Sequence, residues 1–252
     1  MDLPATLQAG QWQPIQQGLS GASIFRGTLD GRACFLKITP HTHCLPVKAE
    51  FARIQWLKTR VPVADVITYL ENDTHQYLVT AAVPGVELLE YDADPDILIR
   101  IFADAIRLFH DLPTEDCPFT WTVDEQLAFA RRTLENKEVQ VSLLDTEFRG
   151  RSLDDLFREM VAHRPDSLDI VVVHGDPYHD NILVNPNTGE VAAFIDVGNT
   201  GVADRYTDLA MIYDNIVHAF SESGWERFLQ RYGLKNFDSK KMYFYRLFNE
   251  FM

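Results

Sequence analysis

Between two β-branched runs the chain reads Val-Val-Val-His-Gly-Asp-Pro-Tyr-His-Asp-Asn-Ile-Leu-Val, residues 171–184. Each buried polar side chain left without a partner costs about 1–3 kcal/mol. A good strand therefore gains nothing for folding by ending in His174, Asp176, His179, Asp180 and Asn181, and the stretch points to chemistry. Asp176 lies in the loop, where a carboxylate can take a proton from an attacking hydroxyl. Asn181 opens one short strand and Asp196 closes the next, so on an antiparallel pair their side-chain oxygens converge. Two hard oxygen donors of this kind suit Mg²⁺, which keeps several waters and completes its shell with phosphate oxygens.

The order His174-Gly175-Asp176, four residues, Asn181 reproduces the H-R-D-x-x-x-x-N spacing of a protein-kinase catalytic loop with Gly in place of Arg. Asp196-Val197-Gly198 matches D-F-G. The expected reaction is phosphoryl transfer from a nucleotide to an alcohol. Such a reaction needs a cation on the α- and β-phosphates, and Lys37 in Cys-Phe-Leu-Lys-Ile-Thr is placed as the strand lysine, with Glu50 on the following helix to pair with it. The stretch Gly-Leu-Ser-Gly-Ala-Ser-Ile-Phe-Arg-Gly, residues 18–27, is neither G-x-G-x-x-G nor a Walker loop, which excludes a P-loop ATPase. Its segment Ser20–Ser23 fits a cradle of backbone N–H groups for phosphate and fits a plain turn equally well. A metallohydrolase built on His174, Asp176, His179 and Asp180 would want histidines or cysteines from further sites. A nucleotide-binding scaffold without activity would have no use for base, metal donors and lysine together. His110 and His163 are expected to be hydrogen-bonded core residues.

The elements that position these groups change character along the chain. Residues 24–39 read as two strands around Asp30-Gly31, the pair that favours a two-residue hairpin. A helix follows at 46–60, with Pro46 in its first turn and Phe51, Ile54 and Leu57/Lys58 on one face. Residues 63–83 form a second hairpin. Beyond Pro84-Gly85 the pattern is helical. Leu98, Ile101, Phe102, Ala105, Leu108, Phe109 and Leu112 make one stripe behind Asp94-Pro95, and Thr122 with Glu125 and Ser152 with Asp155 mark two further helix starts. Helices also fit 207–220, 224–232 and 238–250, and short strands fit 169–173, 181–185 and 190–196. The expected class is α+β: residues 1–84 as a nucleotide-binding lobe, an antiparallel sheet with one helix, and residues 85–252 as a mostly helical catalytic and acceptor-binding lobe.

With 23 Lys and Arg against 37 Asp and Glu the formal charge of the 252-residue chain is −14. Such a surface repels nucleic acids and anionic membranes and attracts a polycation, although acidity also serves solubility alone. No apolar run approaches a membrane span and the N-terminus has no secretory pattern, so a cytoplasmic protein is expected. Cys34, Cys44 and Cys117 have no metal-site spacing and are expected to be reduced packing residues.

The catalytic loop, the segment Phe-Ile-Asp-Val-Gly-Asn-Thr-Gly-Val-Ala-Asp-Arg-Tyr-Thr-Asp-Leu-Ala (194–210) and the ending Phe-Tyr-Arg-Leu-Phe-Asn-Glu-Phe-Met (244–252) together resemble the aminoglycoside phosphotransferases, most closely the 3′-phosphotransferases. The resemblance implies a bilobal protein-kinase-like fold, ATP or GTP with Mg²⁺, transfer of the γ-phosphate to a sugar hydroxyl, antibiotic resistance, and a monomer. By position it implies Asp176 as catalytic base, Asn181 and Asp196 as metal ligands, and Lys37 with Glu50 as the phosphate pair. It places Ser20 in the phosphate loop, Phe35 against adenine, Ala81 and Val83 on a hinge that pairs with the base, and Asp208 as the tie to the catalytic loop. Asp145, Glu147, Glu250 and the carboxylate of Met252 are implied as contacts for a cationic acceptor. The chain departs from the family pattern at Asn199 and Asp214, where relatives often carry Arg. It departs again at Gln140 and Ser142, near positions that are often acidic although Glu138 remains nearby, and at Asn249, which is often Asp. These departures leave a second reading, a kinase of the same fold acting on another small alcohol or amino sugar.

Overall fold

A computed structural model gives the structure of the chain and describes residues 3–15, 21–43 and 45–252. After a short turn of helix α1 (Ala5–Gln8), strands β1 (Gln11–Ile15), β2 (Ser23–Leu29), β3 (Arg32–Pro40), β4 (Val66–Glu71) and β5 (His75–Ala81) form an antiparallel sheet in the order β1-β2-β3-β5-β4. The turn between β2 and β3 has Asp30 at φ 50° and Gly31 at φ 75°, the left-handed pair that the right-handed twist of a two-residue hairpin requires. Leu7, Leu29, Cys34, Leu36, Ile38, Tyr77 and Val79 pack one face of this sheet. Helix α2 (Val47–Leu57) has Pro46 at its N-cap, one residue outside the helix instead of in its first turn. Its buried face is Val47, Glu50, Ile54 and Leu57. Phe51 turns aside to stack on Tyr69 at 4.8 Å. Ile54 and Leu57 of the expected apolar stripe are buried, and in place of Phe51 the stripe continues through Glu50 and Val47, so Glu50 faces inward.

Strand β6 (Val86–Glu87) leads to helices α3 (Pro95–His110), α4 (Val123–Glu135) and α5 (Leu153–Ala162). Pro95 is the first residue of α3 behind Asp94. A complete capping box joins Thr122 and Glu125 at α4, and the Ser152 side chain accepts from the Asp155 amide at α5. On α3 Leu108 is exposed and Leu112 lies beyond the helix end, while Ile99 and Ile106 are buried in their place. Strands β7 (Ile170–Val173), β8 (Ile182–Val184), β9 (Val191–Phe194) and β10 (Gly201–Asp204) precede helices α6 (Tyr206–Tyr232) and α7 (Ser239–Asn249). The two helices expected over 207–232 make up α6 and are separated at Ser221, whose backbone at φ 71° is not helical.

Two compact units result, Met1–Asp92 with Asp180–Asn199 and Ala93–His179 with Thr200–Met252. In the first, the small sheet β6-β8-β9 joins the N-terminal elements, and Phe194 donates its amide to the Pro62 carbonyl at 2.9 Å. In the second, β7 pairs with β10. Phe102, Phe109, Phe228, Phe244, Phe248 and Phe251 fill its interior. Among the described residues no helix is long and apolar enough to cross a membrane.

Candidate active site

In the first unit β3 carries Lys37 to meet Glu50 of α2, with Nζ 3.1 Å from both carboxylate oxygens. Lys37 also pairs with Asp196. Asp196 follows β9 with φ 55°. Left-handed backbone is uncommon outside glycine and is tolerated best by Asp and Asn, so the residue type at this corner is constrained by conformation as well as by charge. Gly198, two residues on, runs so close to α2 that an added Cβ would touch the Glu50 Cβ at 3.6 Å. The D-x-G turn is therefore seated against the helix that holds Glu50. Asn181 heads β8 and accepts the Ile195 amide at its backbone carbonyl, 3.0 Å, which sets it beside the residue preceding Asp196. One carboxylate and one carboxamide, both hard oxygen donors, fit Mg²⁺ and would not suit a thiolate- or imidazole-seeking metal.

The nucleotide-side residues fall on the same sheet. Phe35 on β3 shows 37% of its surface, an aromatic face open to a base. Ala81 ends β5 opposite Cys34, and its amide already donates to the Asp65 carbonyl at 2.8 Å. Any base recognition at this edge therefore falls to the Ala81 carbonyl and to Val83. Ser20 lies outside the described residues.

In the second unit Asp208, fully buried on the first turn of α6, grips the catalytic loop. Its Oδ2 accepts the His174 amide and its Oδ1 the Gly175 amide, each at 2.8 Å. Gly175 sits at φ 85°, a conformation that only glycine adopts without strain and that turns both amides toward one carboxylate. The ring of the buried His174 accepts the Asp176 amide at Nδ1, 3.2 Å, and Thr200 donates to the His174 carbonyl at 3.2 Å. The polar run that interrupts the strand thus spends its His and Gly on shaping the loop and leaves Asp176 half-buried at its tip. Downstream, the His179 amide donates to Asn215 at 3.2 Å.

Asp208 also accepts from His110 of α3, at 3.0 Å from Nε2, while His110 Nδ1 lies 2.6 Å from the Tyr232 hydroxyl. His110 is the hydrogen-bonded core residue expected. His163 is not: it is exposed at the end of α5, with Nδ1 2.9 Å from the Glu159 carbonyl. A surface helix terminus satisfies this ring locally, so burial is unnecessary.

Of the residues implied for the acceptor, Asp145, Glu147 and Glu250 converge in the same unit with Asp214 and an added member, Arg246. Asp145 Oδ1 accepts from Arg246 at 3.3 Å, Glu147 Oε2 from Arg246 at 2.5 Å, and Asp214 Oδ1 from Arg246 at 3.0 Å. Glu250 accepts the Asp145 amide at 3.0 Å. Burial pushes the Glu250 carboxyl up to about 7, and the neighbouring Asp145 and Asp214 charges add to the rise against the Asp145 amide and Arg246. Burial likewise pushes Asp214 up to about 6, with Arg246 opposing. Met252 stands at the exposed chain end, and its amide donates to the Asn249 carbonyl at 3.1 Å. Arg246 and its link to Asp214 escaped the sequence reading. The one trace was the loss of the family's helix arginine at 214, which reads as a missing cation until α7 is seen to supply one from the facing helix.

A lysine–glutamate pair seated against a D-x-G turn, and a catalytic loop held by a buried aspartate, define a phosphotransferase of protein-kinase-like fold. The chain belongs to the phosphotransferase enzyme family, whose model matches residues 11–245. It is 34% identical to an aminoglycoside 3′-phosphotransferase of Streptomyces fradiae over 96% of this chain and 95% of that one. Among solved structures it is similar to an aminoglycoside-3′-phosphotransferase of type VIII, with TM-score 0.85 and 32% identity over 97% of this chain and 94% of that chain. It is also similar to an aminoglycoside phosphotransferase from Streptomyces rimosus in complex with ADP and streptomycin, with TM-score 0.83 and 29% identity over 95% and 92%.

Proposed function

We propose that this phosphotransferase moves the γ-phosphate of ATP or GTP to a hydroxyl of an aminoglycoside, the 3′-hydroxyl in the first instance, and so confers resistance in the cytoplasm. The observation that carries the reading is that Lys37, Glu50, Asp176, Asn181 and Asp196 are all present in a chain similar over nearly its whole length to a 3′-phosphotransferase. In the reaction the acceptor O–H bond breaks, Asp176 takes the proton, the oxygen bonds to the γ-phosphorus, and ADP or GDP departs. Lys37, steered by Glu50, holds the α- and β-phosphates. Asn181 and Asp196 would hold Mg²⁺, which when bound neutralises charge on the phosphate oxygens. Phe35 stacks on the base, and Ser20 belongs to the loop over the phosphates. Asp145, Glu147, Glu250 and the Met252 carboxylate receive the acceptor's cationic groups. The protein works as a monomer, without nucleic acid or membrane partners.

The second reading, another small alcohol or another ring hydroxyl, is favoured by Asn199, Asp214 and Asn249 and by the streptomycin bound to the S. rimosus relative. A coupled ADP- or GDP-release assay with kanamycin, neomycin, streptomycin and choline-like amines, run with each nucleotide, tests both, and phosphorus NMR of the product fixes the hydroxyl. Turnover with kanamycin and neomycin supports the first reading, whereas turnover confined to streptomycin or to non-aminoglycosides replaces it.

A further inference from the structure

Arg246 is held more firmly than a surface cation. Each of its three guanidinium nitrogens meets a different carboxylate. Its Cζ lies over the ring of Tyr213, 5.0 Å from the centroid, and over that of Phe148 at 5.5 Å, and each contact adds cation–π attraction. Its side chain is 13% exposed, against 49% for Glu147, the outermost of its partners. Arginine does not deprotonate in proteins, so this positive charge is permanent.

We infer that Arg246 is a specificity-determining residue whose guanidinium occupies the meeting point of Asp145, Glu147 and Asp214 and competes with the cationic groups of the acceptor. The inference rests on the acceptor class proposed above. Against four carboxylates, with Glu250 completing the set through the Asp145 amide, Arg246 leaves at most three uncompensated negative charges. An ammonium group reaches the half-exposed Glu147 at little cost, but it reaches Asp145 or Asp214 only by displacing a guanidinium bonded three ways. The pocket therefore discriminates by charge count. An acceptor with one ammonium group uses the outer Glu147, while the additional charges of a more cationic acceptor meet Arg246 as a like charge.

Calorimetric titration with neomycin as the polycationic probe tests this on the full-length protein, beside the nucleotide KM and the melting temperature. Removing one unit charge from a half-buried site about 4–6 Å from an ammonium should tighten neomycin binding by about tenfold in Arg246→Gln, with a steeper salt dependence and an unchanged nucleotide KM. Arg246→Lys, which keeps the charge and loses the fork, should stay within about threefold of the parent. If Arg246 merely braced the fold, Lys and Gln would weaken binding alike, and that result overturns the inference, as does unchanged affinity in Arg246→Gln. Should Arg246→Gln not fold, Asp214→Asn is compared with Asp214→Asn/Arg246→Gln, which removes both members of the pair. The double variant should bind about tenfold more tightly than the single, and equality overturns the inference. ADP release with neomycin by the parent protein is recorded separately. Binding without phosphorylation would remove the proposed function and still leave calorimetry to decide on Arg246, and absence of neomycin binding in every variant refutes the role of Arg246.

Discussion

His110 donates from Nε2 to Asp208 Oδ2 at 3.0 Å and accepts at Nδ1 from the Tyr232 hydroxyl at 2.6 Å. The direction follows from Asp208, whose carboxylate can only accept, so that Nε2 of the neutral ring carries the proton and Nδ1 is left to accept, while Arg205, 2.7 Å from the same hydroxyl, can only donate to its oxygen. The Tyr232 proton is thereby turned to His110, and the imidazole is fixed as its Nε2–H tautomer. Asp208, which accepts the His174 and Gly175 amides, is thus oriented from behind by a chain of three side chains. His110→Gln, whose amide can still reach Asp208, should lower kcat by about tenfold or less, and His110→Ala by more, with the nucleotide KM unchanged. Each lost buried bond should also cost about 1–3 kcal/mol of stability. A full kcat in His110→Ala, or a fall in stability alone, removes the positioning role.

Asp176 is tested by Asp176→Asn, which keeps shape and removes basicity. Loss of a general base lowers the rate by about 10²–10⁴. Nucleotide binding, followed by fluorescence of a labelled analogue, should remain near that of the parent. A kcat above half the parent value would mean that the acceptor proton leaves by another route.

Asp196 calls for a substitution that respects its backbone. At φ 55° an alanine adds strain to the loss of charge, whereas Asn is at home there. Asp196→Asn should raise the Mg²⁺ concentration required for half-maximal turnover by tenfold or more, and chelation of divalent cations should abolish turnover in the parent. In the variant Lys37 also loses one of its two partners, so the nucleotide KM should change less than the Mg²⁺ requirement. An unaltered Mg²⁺ titration places the metal donor elsewhere.

Glu250 is pushed up to about 7 chiefly by its burial and Asp214 up to about 6, so if the acceptor binds as proposed, its binding should depend on pH. The groups facing them are Asp145, Glu147, Arg246 and, beside Asp214, His218. Both carboxyls are neutral below their raised values and charged above, so affinity for a guanidinium-bearing acceptor, whose own charge stays constant, should rise from pH 5.5 to 8. Stability runs the other way. The folded state holds protons that the unfolded chain releases near its ordinary carboxylate range, so this contribution is fully present below that range and is lost as pH rises through about 7. Glu250→Gln should flatten most of both trends, read by calorimetry and thermal melting, and trends that survive in it belong to other groups.

The chain end admits a gentler test than truncation. Phe251 is fully buried and packs edge-on to Phe157 at 5.9 Å, so deletion of the last residues would unseat α7. A neutral C-terminal extension moves the Met252 carboxylate and leaves Phe251 in place. It should raise the KM for cationic acceptors about ten- to a hundredfold, the worth of one charge-assisted bond, without altering the nucleotide KM.

The catalytic loop was legible in the sequence because its parts lie within a few residues of one another and each residue type has few structural uses. Lys37 and Glu50 were legible through hairpin and helix signals, and of the expected packing face of α2 only Phe51 departs, because it stacks on Tyr69 of the sheet. Strand β10 was not legible: Gly201-Val202-Ala203-Asp204 is too short for an alternating pattern, and its pairing with β7 arises from the chain fold. The break at Ser221 was legible, since the polar stretch Ser221-Glu222-Ser223-Gly224 interrupts the helical pattern and the two helices meet at that non-helical residue. The Arg246 cluster was least legible, because its carboxylates lie 32, 99 and 101 positions away and nothing in the local sequence of α7 distinguishes that arginine from a solvated one.

Helix α6 carries Asp208, which accepts the His174 and Gly175 amides, and within two turns Asp214 and Asn215, which bind, respectively, Arg246 of the cluster proposed to receive the acceptor and the His179 amide. A lineage under selection for new acceptors has position 214 as an obvious place to vary, yet any replacement there that shifts the helix also shifts the brace that governs turnover. Range and speed are thus inherited on one rigid segment. Positions 145 and 147, on the irregular connection between α4 and α5, offer the freer evolutionary route, since a change of charge there leaves α6 untouched.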